Sequence, residues 1–393
     1  GSINAFYEGI RCAKGEVKVY ARANAGGVLS ASAKASKRDE LSPMNTRVFN
    51  VLFLCTHNSA RSVIAALDPA KYEVVPIGIT HRGRWLTSGD PMALLTTGAA
   101  ELASVESAPD AMLAKHSAPP NRELVPGATG QRFPALDVVF PVLHGTYGED
   151  GTVQGLLDLL GIPYQGSGVL GSAAAMNKLA AKRLYLQAGL PIPDFVAARR
   201  GDGFDADAAV GRLGLPLVIK PVVGGSSVGI TIVRRPEDLR PAVEEGWRHD
   251  PAVLIEAYIQ GLEITGGVIG NDRLEALPLI EIIPDPNREF FDYTAKYTPG
   301  VTEEICPARI DPELTAAAQR LALEAHRTLF CRGYSRTDMM VQGREVFILE
   351  TNTIPGMTAT SLLPRAARTA GLSFGRLLDR LIELSLEGRC RPG

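Results

Sequence analysis

Ser335-Arg336-Thr337-Asp338-Met339-Met340-Val341 and Val346-Phe347-Ile348-Leu349-Glu350-Thr351-Asn352 are two apolar runs joined by the polar turn Gln342-Gly343-Arg344-Glu345. The spacing predicts strands at 335–341 and 345–351. Glu350 and Asn352 are two residues apart, so in a strand they project to one face. Asp338, at the end of the neighbouring strand, supplies a third oxygen beside them. Three hard oxygen ligands without a thiolate suit Mg²⁺ held jointly with nucleotide phosphates. The bland reading, a few solvated acids, fits less well. Both carboxylates sit in apolar strands, where an unpaired charge is costly.

Upstream lies Lys220-Pro221-Val222-Val223-Gly224-Gly225-Ser226-Ser227-Val228-Gly229, between predicted strands at 216–221 and 229–233. Glycines allow close backbone approach to a ligand. Successive N–H groups cradle phosphate, and Lys220 adds a charge at one end. The loop lacks the Walker pattern, and taken alone it reads equally well as a hairpin tip.

Further out, strands are expected at 48–54, 73–79 and 136–143, separated by helical or polar segments, which predicts a parallel α/β sheet. A helix is expected from Ser172 to Ala188, stopped by Gly189 and followed by Pro191 and Pro193. Strands at 253–259, 264–270 and 275–283 follow. Phe374, Leu377, Leu378, Leu381 and Leu384 form a helical stripe, read as core. Residues 1–46 differ: Ala21 to Pro43 is rich in Ala, Ser, Gly and Lys, and is read as flexible or loosely attached.

At 393 residues and 45% hydrophobic content, the chain can bury more than one core. Its 41 basic and 43 acidic residues are interspersed, so no basic stripe points to nucleic acid. No apolar run is long enough to span a bilayer. The five cysteines, Cys12, Cys55, Cys306, Cys331 and Cys390, are scattered and form no C-x-x-C, which fits a reducing cytoplasm.

The set Lys178, Lys220, the G-G-S-S-V-G loop, Asp338 and Glu350-x-Asn352 resembles the ATP-grasp fold. More narrowly, it is similar to the D-alanine–D-alanine ligases. The likeness runs from about Ser62 to about Leu386. It is carried by Leu143-His144-Gly145, Gly148-Glu149-Asp150-Gly151, Gln165-Gly166-Ser167-Gly168, Met176-Asn177-Lys178, Phe291-Asp292-Tyr293-Thr294-Ala295-Lys296-Tyr297 and Asn352-Thr353-Ile354-Pro355-Gly356-Met357-Thr358. The resemblance implies a three-lobed α/β and α+β ligase: an extension at 1–46, a parallel α/β domain at 47–166, a central lobe at 167–255 and a C-terminal domain at 256–393.

It also implies roles. Lys178, Lys220 and Ser227 would bind ATP phosphates, with Glu256 at the adenine and Glu263 at the ribose. Asp338, Glu350 and Asn352 would hold two Mg²⁺ ions, with Mn²⁺ able to substitute. ATP would phosphorylate one D-alanine carboxylate and the amine of a second would attack, giving D-alanyl-D-alanine for peptidoglycan synthesis. Arg336 and the Gly356 N–H would stabilise the oxyanion. Lys296, Ser361, Leu362 and His144 would hold substrate. Tyr297 and Ser226 would close over the site and exclude water. The Lys296-Tyr297 pair would favour an amine over a hydroxyl nucleophile. A cytoplasmic homodimer is implied, with neither nucleic acid nor membrane as partner.

One stretch departs from the family. Its first strand normally enters a glycine-rich loop whose glutamate binds the ammonium of the first D-alanine. Here the strand runs into Cys55-Thr56-His57-Asn58-Ser59-Ala60-Arg61-Ser62. This resembles the phosphate loop of low-molecular-weight tyrosine phosphatases and the related arsenate reductases, over about residues 44–62 only. The reading is a junction between two genes. Two alternatives follow: a chimera that binds ATP but ligates poorly, and a phosphatase or arsenate reductase acting through Cys55. Loss of the ammonium's partner would cost about 2–5 kcal/mol of binding in a dry site.

Overall fold

The computed structural model describes residues 48–55, 59–79, 85–86, 136–224, 229–284 and 302–387, and the backbone of three strands between residues 11 and 34. The chain divides into two units, Gly1–Arg47 and Val48–Gly393. In the first, strands β1 (Arg11–Ala13), β2 (Glu16–Arg22) and β3 (Val28–Lys34) form an antiparallel sheet. The end of β2 and all of β3 fall within Ala21 to Pro43, the stretch read as flexible or loosely attached. The signal was the alternation in Glu16-Val17-Lys18-Val19-Tyr20, which small residues dilute downstream.

The second unit opens with a four-stranded sheet in the order β6-β5-β4-β7. Strands β4 (Phe49–Cys55), β5 (Tyr72–Ile79) and β7 (Val138–Val142) are parallel, and β6 (Trp85–Leu86) is antiparallel to β5. Helix α1 (Ser59–Ala66) follows β4, and α2 (Thr152–Leu159) follows β7. Both faces are covered, which is why these strands read as unbroken apolar runs. Val51 and Phe53 join Phe140 on one face, where Phe53 and Phe140 stack at 5.1 Å. Leu52 and Leu54 point the other way, toward Val153 and Leu157 of α2.

The single helix expected at 172–188 is two, α3 (Val169–Met176) and α4 (Lys178–Gln187). Asn177 leaves helical geometry at φ −91°, ψ 99°, and its side chain caps α4 by accepting from the Ala180 N–H. Ala174, Ala181 and Tyr185 pack with Ile264 and Val268 of the C-terminal sheet. By packing, these helices therefore belong to the C-terminal body.

The central lobe is an antiparallel sheet in the order β10-β9-β11-β8. It comprises β8 (Phe195–Arg199), β9 (Leu217–Pro221), β10 (Thr231–Val233) and β11 (Ala252–Ala257), with helices α5 (Ala206–Leu213) and α6 (Pro236–His249). Leu217, Ile219, Val253 and Ile255 meet Leu239 and Val243 of α6 in its core.

The C-terminal sheet runs β15-β14-β12-β16-β17, with β13 also on β12. Its strands are β12 (Leu262–Gly270), β13 (Leu274–Ala276), β14 (Ile280–Pro284), β15 (Thr302–Ile305), β16 (Gly333–Gln342) and β17 (Glu345–Asn352). The strand expected at 275–283 is broken into β13 and β14 around Pro278, which lacks the N–H a ladder needs. Helix α7 (Pro312–Thr328) covers one face. Helices α8 (Leu362–Thr369) and α9 (Phe374–Leu386) join the N-terminal core, where the predicted stripe Leu377, Leu378, Leu381 and Leu384 is buried.

Candidate active site

The β16–β17 register sets Arg336 opposite Asn352 and Asp338 opposite Glu350, with a shift just after Asp338. All four therefore share one face of the sheet. Arg336 grips Asp338 at two points, Nε to Oδ1 at 2.9 Å and Nη2 to Oδ2 at 2.8 Å. The Thr265 hydroxyl donates to Asp338 Oδ1 at 2.6 Å, and Asn352 Nδ2 donates to Oδ2 at 3.2 Å. Burial works against the Arg336 cation, but Asp338, followed by Glu350 and Glu149, holds it protonated well above the usual guanidinium value. On the opposite face, the Thr351 hydroxyl meets those of Tyr185 at 2.7 Å and Thr337 at 2.9 Å, fixing the back of the site.

Two carboxylates and an amide on facing strands fit a divalent ion that keeps water and phosphate oxygens in its shell. Among the described residues no cluster of three acidic, histidine or cysteine ligands exists. The donor set thus suits a metal brought in with a nucleotide rather than an all-protein cage.

Glu256 of β11, one of the predicted nucleotide contacts, lies between two ammonium groups. Lys182 Nζ is 2.7 Å from one carboxylate oxygen and Lys220 Nζ is 2.6 Å from the other. Burial pushes the Glu256 carboxyl up, but the two lysines overcome it and hold it at about 2. Glu263, at the start of β12, contributes to the field that keeps Lys220 charged, after Glu256 and Glu350. Lys178 opens α4, and its Nζ donates to the Gly224 carbonyl at 2.6 Å, at the mouth of the Gly/Ser loop. The two predicted phosphate lysines therefore flank that loop.

His144 and the loop after it leave the carboxyl end of β7, where parallel sheets present ligand sites. The loop is braced by its own acids. Glu149 Oε2 accepts from the Gly145 N–H at 2.6 Å, and Asp150 accepts from Tyr147 N at 2.8 Å and Thr152 N at 3.0 Å. Burial raises the Glu149 carboxyl to about 7, against the Gly145 N–H and Arg336, while Glu350 adds to the rise. The loop thus faces β16 and β17, through Arg336 and Glu350. A Cβ on Gly356 would lie 3.0 Å from Ser361 Oγ, which places those two predicted residues in contact. Leu362 is 8% exposed and packs into the core, so only its backbone remains for a ligand.

Ser226, Ser227, Lys296 and Tyr297 lie outside the described residues. So do the side chains of Cys55 and Arg61; their backbone ends β4 and lies in α1. Sequence reasoning missed Lys182, Thr265 and the internal brace at Glu149. A signal existed for the first: Lys178, Lys182 and Tyr185 recur at i, i+4 and i+7, one stripe of α4.

Comparison with known proteins identifies the family. Residues 55–167 match the family model described as D-ala D-ala ligase N-terminus, and residues 184–383 match that of its C-terminus. Cys55 thus falls at the edge of the ligase match. A D-alanine–D-alanine ligase of Syntrophobacter fumaroxidans is 62% identical over 252 residues, covering 64% of this chain and 81% of that one. One from Desulforudis audaxviator is 41% identical over 330 residues, 84% of this chain and 93% of the relative. The crystal structure of the Bacillus anthracis D-alanine–D-alanine ligase complexed with ATP superposes with a TM-score of 0.64 at 30% identity, covering 87% of this chain and 99% of that one. With both halves of the family pattern matched in order along the sequence, the chain belongs to the D-alanine–D-alanine ligase family, on the ATP-grasp fold.

Proposed function

We propose that the protein joins two D-alanine molecules at the expense of ATP, through an acyl phosphate, to give the D-alanyl-D-alanine of peptidoglycan precursors. The observation that carries this reading is the placement of Arg336, Asp338, Glu350 and Asn352 on one face of β16 and β17. Both carboxylates interact electrostatically with Lys220 or Arg336 at the nucleotide end of the cleft.

Lys178 and Lys220 neutralise phosphate charge, and Ser227 adds a donor. Glu256 accepts from the base and Glu263 from the ribose. Asp338, Glu350 and Asn352 hold the divalent ions, two Mg²⁺ with Mn²⁺ able to replace them. Bound there, the metal offsets phosphate charge during transfer, and positioning supplies much of the remainder. Arg336 and the Gly356 N–H face the oxyanion that forms when the second amine attacks. Ser361, the Leu362 backbone and Lys296 take the second carboxylate, His144 contacts substrate, and Tyr297 with Ser226 shields the acyl phosphate from water. The Lys296-Tyr297 pair favours D-alanine over D-lactate as acceptor; faster turnover with D-lactate at neutral pH would contradict this.

The replaced loop at 55–62 weakens the first D-alanine site without removing the chemistry. Among the described residues no helix is long and apolar enough to cross a membrane, in keeping with a cytoplasmic enzyme. A homodimer is supported by exposed Leu159, Leu160, Val169, Leu170 and Phe330 on neighbouring elements; light scattering at the monomer mass would count against it.

The deciding experiment is D-alanine-dependent phosphate release from Mg-ATP, with the dipeptide followed by mass spectrometry. Dipeptide in proportion to phosphate, with a raised D-alanine requirement, is expected. ATP binding without product would mean that the loop change abolished ligation. Phosphatase activity lost in Cys55→Ser, with no dipeptide from the parent, would overturn the reading.

A further inference from the structure

Lys182 is buried, is charged in type, and has no part in the chemistry above. Its side chain is 2% exposed, as is that of Glu256, whereas Lys220 is 13% exposed. Lys220 is therefore the ammonium on the cleft side and Lys182 the one on the core side. Lys182 also donates to the Ile348 carbonyl of β17 at 3.2 Å. The contact crosses a seam. Helix α4 and Ile348 belong to the C-terminal core, through Tyr185 and Ile348 itself. Glu256 and Lys220 belong to the central lobe, beside Ile255 and Ile219.

Two cations for one carboxylate is more than a buried ion pair needs. A carboxylate in this position must keep one counter-charge, because leaving it unpaired in the interior is strongly unfavourable. If Lys220 were its sole partner, drawing Lys220 toward a phosphate would strand Glu256. With Lys182 fixed behind it, Glu256 keeps a partner while Lys220 turns to the ligand. We propose that Lys182 is a positioning residue of the nucleotide cleft: it is the permanent counter-ion of Glu256, holding that carboxylate in place across the seam and leaving Lys220 free to engage the triphosphate. This rests on the reading of Glu256 and Lys220 as nucleotide contacts.

The test is steady-state kinetics and equilibrium Mg-ATP binding for Lys182→Met, Lys182→Arg, Glu256→Gln and the double variant Lys182→Met/Glu256→Gln. Lys182→Met should raise the KM and Kd for ATP about tenfold or more, with the KM for D-alanine unchanged. Lys182→Arg should restore most of the loss. In the Glu256→Gln background, Lys182→Met should add little, because residues acting through one contact are not additive. Full additivity, or a folded Lys182→Met enzyme with parental ATP binding, overturns the proposal. If Lys182→Met does not fold, Lys182→Arg and the double variant, which removes both charges, still decide it. In that case the double variant should bind ATP as Glu256→Gln does, and a further tenfold loss overturns the proposal. Parental ATP binding by Glu256→Gln would instead sink the assignment of Glu256 to the nucleotide, a failure distinguishable from that of Lys182 alone.

Discussion

Arg336 and Asp338, two residues apart on β16, are joined by a two-point contact of 2.9 and 2.8 Å in the body of the sheet. Thr265 and Asn352 also donate to the Asp338 carboxylate, so arginine, hydroxyl and amide groups together hold it in place. Asp338→Asn removes the counter-charge of a buried guanidinium, which typically costs about 3–5 kcal/mol. Urea unfolding should show a loss of that order, and titration of Mg²⁺ in the presence of a non-hydrolysable ATP analogue should show weakened metal binding. A variant as stable as the parent would mean that the pair is not buried as described.

Arg336→Lys keeps a charge but not the planar fork that meets two oxygens at once. It should lower kcat by roughly 100- to 1000-fold, the usual effect of losing one oxyanion donor. The KM for ATP should barely move, because Arg336 is not assigned to the nucleotide. An increase in the KM for ATP with kcat preserved would place the residue elsewhere in the cycle.

Glu149 gives a pH signature. Its folded-state value of about 7 stands above the ordinary 4.5. Between the two, the folded chain keeps a proton that the unfolded chain has released. Stability therefore falls as pH rises through that window and levels off above it, by roughly 1.4 kcal/mol per unit. Glu149→Gln should remove this component of the slope while keeping an acceptor for the Gly145 N–H. Equal slopes for parent and variant, in unfolding followed from pH 5 to 8, would show that Glu149 ionises normally.

Gly148 tests the loop itself. A Cβ there would stand 2.3 Å from the Leu143 carbonyl oxygen and 2.4 Å from the Leu143 Cβ, so backbone must move. Gly148→Ala should cost about 1–3 kcal/mol and displace the carboxylate beside it. Differential scanning calorimetry with D-alanine titration should find lower stability and weaker substrate binding together. Unchanged binding would separate the loop's shape from the site.

Much of this was legible in the residues. Val51 to Leu54 announced a doubly covered parallel strand because both faces are apolar, and Glu350-x-Asn352 announced a shared face because a strand repeats every two residues. The break at Asn177 was harder to see. Its neighbours Met176 and Lys178 are good helix formers, and the cap depends on an interaction that helix periodicity does not encode. Lys182 was hidden for a related reason. A lysine in a helix ordinarily reaches water, and only the arrival of Glu256 from a distant strand makes its burial tolerable. Thr265 carries no sign of its bond to Asp338, since threonine is an ordinary strand residue.

The core shared by β4 and α9 bears on how the molecule is made. Tyr72 and Asp379, hydrogen bonded at 2.9 Å, are separated by 307 positions in the sequence. Val51 and Phe53 rest against Leu377, Leu378 and Leu381 in the same way. As the chain leaves the ribosome, one face of its first parallel strands has no mate until that distant helix emerges. Such long-range closure is slow and leaves apolar surface open to aggregation. The N-terminal domain therefore cannot finish folding until α9 has emerged, and a chaperone that shelters this face until then would raise the yield of folded protein.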